Sequence, residues 1–153
     1  MKSFAILMGA ALVATSASAQ RAIVKTNCPA PVVFVESFPN EGIGAPPAAL
    51  TPNTTWSEDL HPSGSTIKID TGSDLAHPLV FDYFFSADSE YIFYELSSEL
   101  GNPFGKTHVV LTPDAGCVAF DCAAFDPGCY SRTEAKKVYG CPQPVDLTLT
   151  LCA

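Results

Sequence analysis

Six cysteines constrain this chain more than any other feature of its sequence. They are Cys28, Cys117, Cys122, Cys129, Cys141 and Cys152. An even number of cysteines in a short chain that enters an oxidising compartment predicts a disulfide framework. The first cysteine follows the first predicted strand and the last one closes the final strand, so a bridge between them would tie the termini together. The other four cysteines allow three pairings, and their spacing does not choose among these.

The N-terminus predicts passage through that oxidising compartment. Lys2 gives a short positive start, residues 4–13 are an almost unbroken apolar run, and Ala17-Ser18-Ala19 supplies the small residues of a signal-peptidase site. The run is too short to span a bilayer, and no later segment approaches the roughly 18 apolar residues of a transmembrane helix. We therefore expect a signal peptide over residues 1–19 and one secreted, monomeric domain over residues 20–153.

The mature chain is strongly acidic. Without Lys2 it has 7 Lys and Arg residues against 16 Asp and Glu residues, which gives a net charge of 7 − 16 = −9. Nucleic acids and anionic membranes are bound through basic patches, so neither is an expected partner. Two interpretations remain open: a solubilising acidic surface, or an acidic cleft that faces a basic or sugar ligand.

The sequence predicts no metal site and no cofactor. It contains no C-x-x-C pair, and His61, His77 and His108 are scattered at no ligand spacing. It does contain one usable acceptor for an N-linked glycan, Asn53-Thr54-Thr55.

Short β-strands separated by turn residues dominate the pattern. Strands are predicted at residues 21–26, 32–35, 54–60, 66–70, 79–85, 91–96, 108–111 and 145–151. In the last of these, alternation predicts one buried face formed by Leu147, Leu149 and Leu151. Such an array indicates an all-β antiparallel β-sandwich. The capping-box spacing of Ser131 and Glu134 predicts one short helix over residues 132–138, pinned by Cys129 and Cys141.

One connection in this array is unusually long. Residues 36–53 contain four prolines and two glycines, and the centre of the segment presents Ile43 and Gly44 beside Pro46 and Pro47. Connections of this length are often functional. They are also common as variable surface loops, and both interpretations stay open.

The order of these pieces resembles the thaumatin-like family. The opening AIVKTNCPAPVVFV, the pair Trp56-Ser57 followed by Pro62-Ser63-Gly64 and Ile67, the strand FYELS followed by Gly101, and the closing DLTLTLC are similar to that family's segments. The small size and the stretch GNPFGKTHVVLTP are more similar to a small fungal branch, the Blastomyces yeast-phase-specific family. The resemblance implies a β-sandwich secreted to the apoplast or cell wall. It also implies the disulfides Cys28–Cys152, Cys117–Cys141 and Cys122–Cys129.

Larger thaumatin-like proteins have an acidic cleft linked to β-glucan binding or hydrolysis. Only some of the residues of that cleft have a counterpart in this sequence. Asp82 falls at the position of the family's Glu and Glu95 at that of its first Asp. Leu100 stands where the second Asp belongs, with Glu99 one place away. Asp70 or a neighbour stands near the family's Arg, and the last Asp has no counterpart.

Asp82 and Glu95 lie on neighbouring predicted strands, so they could face each other. Glycoside hydrolysis needs two nearby carboxyl groups, one of them with a raised pKa. Acids on the solvent face of a strand are, however, ordinary. Trp56, Tyr83, Tyr91 and Tyr94 could stack on sugars, although strand aromatics are usually core residues.

Three functions are compatible with the sequence. The first is a non-enzymatic effector that binds a host or extracellular protein, such as a protease or another hydrolase that it inhibits. The incomplete cleft and the stiff Ile43 segment favour this function. The others are a β-glucan-binding module and a weak endo-β-glucanase acting through Asp82 and Glu95.

Overall fold

The structure, a computed structural model, describes residues 20–29, 32–85 and 88–153. Regular secondary structure in these residues consists of β-strands, which confirms the predicted all-β class. The predicted signal peptide lies outside the described residues. Within them, no helix is long and apolar enough to cross a membrane.

Eleven strands occur in the described part of the chain. They are β1 (Arg21–Thr26), β2 (Val33–Pro39), β3 (Ala48–Leu50), β4 (Thr54–Asp59), β5 (Ser65–Asp70), β6 (Leu79–Phe84), β7 (Tyr91–Ser97), β8 (Val109–Pro113), β9 (Phe120–Cys122), β10 (Tyr139–Pro142) and β11 (Leu147–Leu151). One sheet has the order β4-β1-β11-β8-β9, and the other has the order β10-β7-β6-β5-β2-β3. These sheets form the two layers of the predicted β-sandwich.

The core lies between the sheets, and most strands alternate buried residues that face it with more exposed residues that face away. On β11 the predicted face is confirmed, since Leu147, Leu149 and Leu151 are fully buried. On β6, Phe81 and Tyr83 point into the core while Asp82 and Phe84 point away from it. The outer face of the six-stranded sheet is therefore available for function.

One strand pair departs from the predicted antiparallel arrangement. β1 and β11, the first and last strands, run parallel, with Thr26 opposite Leu151. Parallel strands end at the same edge of a sheet, so the cysteines that follow them meet there. Cys28 and Cys152 form a disulfide with their Cα atoms 5.1 Å apart, across 124 positions of sequence. Closing a loop of that length lowers the entropy of the unfolded chain. On the chain-entropy model this stabilises the folded protein by about 4–5 kcal/mol.

The other two disulfides hold the region between β8 and β11, where regular structure is sparse. Cys117 is bonded to Cys141, and Cys122 is bonded to Cys129. The first bond joins the loop after β8 to β10, and the second joins the short strand β9 to the loop that follows it. The three bonds are the pairs that the family resemblance implies.

The predicted short helix over residues 132–138 is wrong. Ser131 is fully buried and is joined to β7 on both sides, because its amide donates to Leu96 O (2.9 Å) and its carbonyl accepts from the Ser98 amide (3.1 Å). Arg132 and Ala135 then close a tight turn through two backbone hydrogen bonds. Sheet-type pairing at Ser131 thus uses the backbone groups that a helix start would need.

The long connection after the second strand is shorter than predicted. β2 continues through Pro39 because Ser37 and Phe38 pair with Ile67 and Thr66 of β5. β3 then pairs back onto β2. The irregular segment is therefore residues 40–47, which we call the Ile43 loop.

Candidate functional site

An acidic groove lies on the outer face of the six-stranded sheet. Asp82 on β6 stands directly opposite Glu95 on β7, so both side chains leave the sheet on the same side. Together with Glu99 and Leu100, which follow β7, they line a shallow groove of about 270 Å³. The structure thus brings together the three acids that the sequence singled out.

A lysine crosses this groove and pairs with two of the acids. Lys136 Nζ lies 3.3 Å from Glu95 Oε1 and 3.1 Å from Glu99 Oε2. Glu99 also accepts a hydrogen bond from the Thr133 hydroxyl. That bond and the contact with Lys136 lower the pKa of Glu99, and the two glutamates raise the pKa of Lys136. Lys136 belongs to the segment that was predicted as a helix, so sequence reasoning did not place it here.

Asp82 is the acid that Lys136 does not bind directly. Burial raises its pKa, and the charge of Glu95 adds to that rise. The hydrogen bond with Thr66 opposes the rise, as does the more distant charge of Lys136. The groove therefore contains one carboxyl group with a raised pKa.

This arrangement suits hydrolysis poorly. A glycosidase needs a second carboxylate that is free to act as nucleophile or base beside its carboxylic acid. Here Glu95 and Glu99 both pair with Lys136, and the half-exposed Leu100 stands where the family pattern has an Asp. The geometry fits a partly neutralised surface better than a pair of catalytic carboxyl groups.

The outward aromatic residues differ from those that the sequence suggested. Trp56, Tyr83 and Tyr94 are core residues, with 6%, 1% and 0% of their surface exposed. Tyr91 is exposed, as are two residues that sequence reasoning missed. Phe84 and Phe93 stand opposite each other on β6 and β7 with their rings stacked at 5.4 Å. They lie one outward position along from Asp82 and Glu95, so an aromatic strip borders the acidic groove.

The Ile43 loop presents a different kind of surface. Ile43 is 92% exposed, and Pro46 and Pro47 are also exposed. Gly44 packs against the end of β2, where an added Cβ would lie 2.7 Å from Ser37 O. The loop thus turns back on β2 and points an apolar side chain into solvent.

Hydrogen bonds fix the loop at both ends. The Asn40 amide donates to Gly64 O (3.0 Å), and the Asn40 side chain donates to Ser63 O (2.6 Å). At the other end the Ala45 amide donates to Glu58 Oε2 (3.2 Å), and Trp56 Nε1 donates to Pro46 O (3.4 Å). Hydrogen bonds therefore hold both ends of the loop in place, while its tip is exposed to solvent.

The base of the loop rests on a buried acid that sequence reasoning missed. Glu58 on β4 is 7% exposed. It accepts hydrogen bonds from the Ser37 hydroxyl (2.7 Å) and the Tyr83 hydroxyl (3.4 Å), and it lies 3.4 Å from His61 Nε2. The alternation of β4 was the available signal, because Glu58 is two residues from the inward Trp56. His61, interpreted from sequence as a surface turn residue, is half-buried in this network.

Asn53, the predicted glycan acceptor, sits in an exposed turn before β4. Its φ is 61°, and its amide donates to Thr26 O at 2.7 Å. No group of three or more His, Cys, Asp or Glu side chains among the described residues is arranged to hold a metal ion.

Comparison with known proteins identifies the family. The family model described as "Blastomyces yeast-phase-specific protein" matches residues 9–153. The chain belongs to this family. The resemblance interpreted from the sequence is thereby confirmed.

A solved relative of this family member has nearly the same fold. The crystal structure of the protein elicitor MoHrip2 from Magnaporthe oryzae is 49% identical, covers 88% of this chain and 100% of its own, and superposes with a TM-score of 0.83. The antigenic thaumatin-like protein of Arthroderma benhamiae is 32% identical over 95 residues, which are 59% of this chain. The match spans about half of that relative's length (48%).

A more distant structure shows the wider fold. The thaumatin-like xylanase inhibitor TLXI is 15% identical, covers 86% of this chain and 99% of its own, and has a TM-score of 0.59. At this identity the likeness shows the thaumatin-like fold alone.

Proposed function

We propose that this protein is a non-enzymatic extracellular effector that binds a secreted hydrolase of its host through the Ile43 loop. The observation that supports this most is Ile43 itself, a large apolar side chain 92% exposed on a loop held at both ends. An exposed apolar anchor on a fixed base is typical of the residues that dominate protein–protein binding energy.

The fixed base matters for affinity. Binding orders flexible segments at a cost of about 0.5–1.5 kcal/mol for each immobilised side chain, and a loop that is already ordered avoids part of that cost. Gly44 packs closely on β2, and Pro46 and Pro47 restrict the backbone on the other side. The loop is thus suited to entering the groove of an enzyme.

The proposed class of partner, a secreted hydrolase, is inferred by analogy with proteins of similar fold. One relative is described as a protein elicitor, and a distant neighbour with the same fold is described as a xylanase inhibitor. Because a fold alone does not determine function, these descriptions indicate a class of target and not its identity. The predicted signal peptide and the three disulfides support action outside the cell, in the apoplast or cell wall.

The predicted glycan is compatible with this surface. Asn53 precedes β4, whereas Glu58, which holds the Ile43 loop, lies near the end of that strand. Four residues of extended strand separate Thr54 from Glu58 by about 13 Å. We propose that a glycan on Asn53 leaves the Ile43 loop accessible.

A second function, β-glucan binding, is favoured by the aromatic strip. Phe84, Phe93 and Tyr91 are exposed beside the acidic groove, and aromatic faces next to hydrogen-bonding groups suit sugar rings. Endo-β-glucanase activity is less well supported, because Lys136 pairs with Glu95 and Glu99.

One experiment separates the two binding functions. The mature protein and its variants are assayed for binding to and inhibition of purified secreted xylanases, glucanases and proteases, and for retention on insoluble β-glucan. Under the proposal Ile43→Asp weakens hydrolase binding by about 100-fold, which corresponds to about 2.7 kcal/mol at a central anchor. Val118→Asp, at another exposed apolar residue, leaves binding unchanged.

Two other outcomes would support β-glucan binding or contradict the proposed role of the Ile43 loop. Retention on glucan that is lost in a Phe84→Ser, Phe93→Ser double variant but kept in Ile43→Asp supports the second function. Hydrolase binding that Ile43→Asp leaves intact contradicts the proposed role of the loop.

A further inference from the structure

A second cavity, lined by different residues from the acidic groove, lies beside the loop that follows β7. It has a volume of about 390 Å³ and is bordered by residues 98–105 and 125–132. The Phe125 amide donates to Gly105 O at 2.8 Å and so joins the two borders. The Cys122–Cys129 disulfide closes the loop that contains Phe125 and Asp126. The two segments that border the cavity are therefore held in place by a hydrogen bond and a disulfide.

Two polar atoms at this cavity have no hydrogen-bond acceptor among the described residues, and the Asn102 side chain approaches the Tyr130 oxygen only as a donor. The two atoms are the hydroxyl of Tyr130, a residue only 2% exposed, and Nε of Arg132. Buried polar groups in proteins are nearly always paired, so each exception calls for an explanation. Both atoms can donate a hydrogen bond, and Nε can only donate. The missing partner is therefore an acceptor.

The position of Arg132 indicates which acceptor. Its Nη1 atom lies 3.5 Å from Glu134 Oε1, on one side of the guanidinium. The other side, with Nε and Nη2, has the spacing that matches the two oxygens of a carboxylate. Arg132 is the basic residue among those that line the cavity, and its Nε and Nη2 atoms favour an anionic group here.

The remaining lining groups suit a sugar ring. Asn102 Oδ1 accepts from the Phe104 amide (3.0 Å), which orients the side chain so that its amide nitrogen faces the Tyr130 hydroxyl. Asp126 Oδ1 accepts from the Gly128 amide (3.0 Å), which leaves its second oxygen to accept from a hydroxyl. Phe125 is 72% exposed at the mouth of the cavity, where its ring can stack on the apolar face of a pyranose.

Phe125 also has an unusual backbone. Its φ is 65°, a left-handed conformation that bulky side chains rarely adopt. Strain of this kind is concentrated at ligand sites, where the surrounding structure maintains it. Here the disulfide loop and the hydrogen bond to Gly105 maintain it.

From these observations we infer that the cavity binds a uronic acid residue of an acidic polysaccharide, with the carboxylate on Arg132 and Tyr130 and the ring on Phe125. This site is separate from the acidic groove and from the Ile43 loop, and it does not depend on the function proposed for that loop. It gives the protein a second attachment, to the charged polymer of a cell wall.

The test uses the mature, disulfide-bonded protein and a trimer of galacturonic acid. Binding is followed by shifts of backbone amide NMR signals, with a neutral glucose trimer and a short peptide with a free C-terminal carboxylate as comparison ligands. We expect the galacturonate trimer alone to shift the signals of Tyr130, Arg132 and Phe125, with an affinity that decreases as salt increases. These shifts in the unmutated protein test the site even where a variant fails to fold.

Two variants and two controls test the recognition. Arg132→Lys keeps the charge but loses the paired donors, and Phe125→Ser loses the stacking face, so each is expected to weaken binding by about tenfold or more. Arg21→Lys, at the other arginine of the mature chain, and Val118→Ser, at an exposed apolar residue outside the cavity, leave it unchanged. Equal binding of the neutral trimer, tighter binding of the peptide, or unchanged affinity in Arg132→Lys overturns the inference.

Discussion

The base of the Ile43 loop and the acidic groove both contain carboxyl groups that accept hydrogen bonds, yet these groups play different parts in the two regions. Under the loop, Glu58 is buried and is satisfied by donors from β2, β6 and the loop itself. In the groove, Glu95 and Glu99 share a half-exposed lysine, and Asp82 is left with a raised pKa.

The difference shows what burial does to the same chemical group. A buried carboxylate with several donors fixes the segments that supply them, because each donor would otherwise lack a partner. A carboxylate near solvent that pairs with a lysine contributes little rigidity. The acid that supports a proposed binding surface is thus Glu58, and not the acids that the family pattern emphasises.

The largest effect is expected from removing Glu58, and it tests whether the buried carboxylate stabilises the fold more than the exposed ones do. Glu58→Ala leaves the Ala45 amide and the Tyr83 hydroxyl without their acceptor and opens a small cavity, so we expect a loss of about 3 kcal/mol in the free energy of unfolding. Urea denaturation followed by the fluorescence of Trp56, the one tryptophan, measures it. Hydrogen exchange of the Ala45 amide should accelerate in the same variant.

Glu99→Ala in the groove is the matched control for that loss. It removes an exposed partner of Lys136 and should leave the denaturation midpoint almost unchanged. Glu58→Gln, which keeps the shape and one acceptor, should be intermediate. An equal loss of stability in Glu58→Ala and Glu99→Ala would show that burial does not separate the two regions.

A smaller effect is expected from filling the space behind the loop. In Gly44→Ala the new Cβ would meet Ser37 O at 2.7 Å and Pro39 Cδ at 3.0 Å, so the loop must move away from β2. We expect a loss of about 1–2 kcal/mol in the free energy of unfolding. Gly105→Ala, where the nearest atom is 3.5 Å away, is the control and should cost less. A Gly44→Ala variant as stable as the wild type would mean that the loop is not packed closely on β2.

The smallest effect concerns the pH dependence of the groove. The folded pKa of Asp82 is raised, so the folded state binds more protons between the unfolded and folded pKa values and loses stability as pH rises through that interval. The folded pKa of Glu99 is lowered, so its contribution is present above the unfolded pKa and is lost as pH falls through the folded pKa. Asp82→Asn should therefore stabilise the protein slightly at pH 7 and not at about pH 2.5.

NMR titration of the carboxyl groups checks the causes. Thr66→Val removes a hydrogen bond that lowers the pKa of Asp82, and Lys136→Met removes a favourable charge, so each should raise that pKa further. Lys136→Met should also raise the pKa of Glu99. An Asp82 pKa that both substitutions leave unchanged would contradict this account of the groove.

Strand alternation made much of the fold predictable from sequence. The inward Leu147, Leu149 and Leu151 followed directly from it, and so did the pairing of Asp82 with Glu95 on one face. The same rule applied to β4 and β6 would have found Glu58 beside Trp56 and Phe84 beside Asp82. Neither residue belongs to the family's motif positions, so the parity of each strand was the signal that could have indicated them.

Other features depended on contacts between distant segments. The capping-box pattern at Ser131 predicted a helix, but backbone pairing with Leu96 and Ser98 prevailed. The position of Lys136 over the groove follows from that pairing, so a local pattern could not place it. The parallel pairing of β1 with β11 is equally non-local, since the whole chain lies between the two strands.

That parallel pair and its disulfide have a consequence for survival among extracellular proteases. An endoprotease that cleaves the exposed Ile43 loop cuts inside the covalent ring from Cys28 to Cys152, and the two pieces stay joined. A single cut therefore opens the ring without releasing either piece.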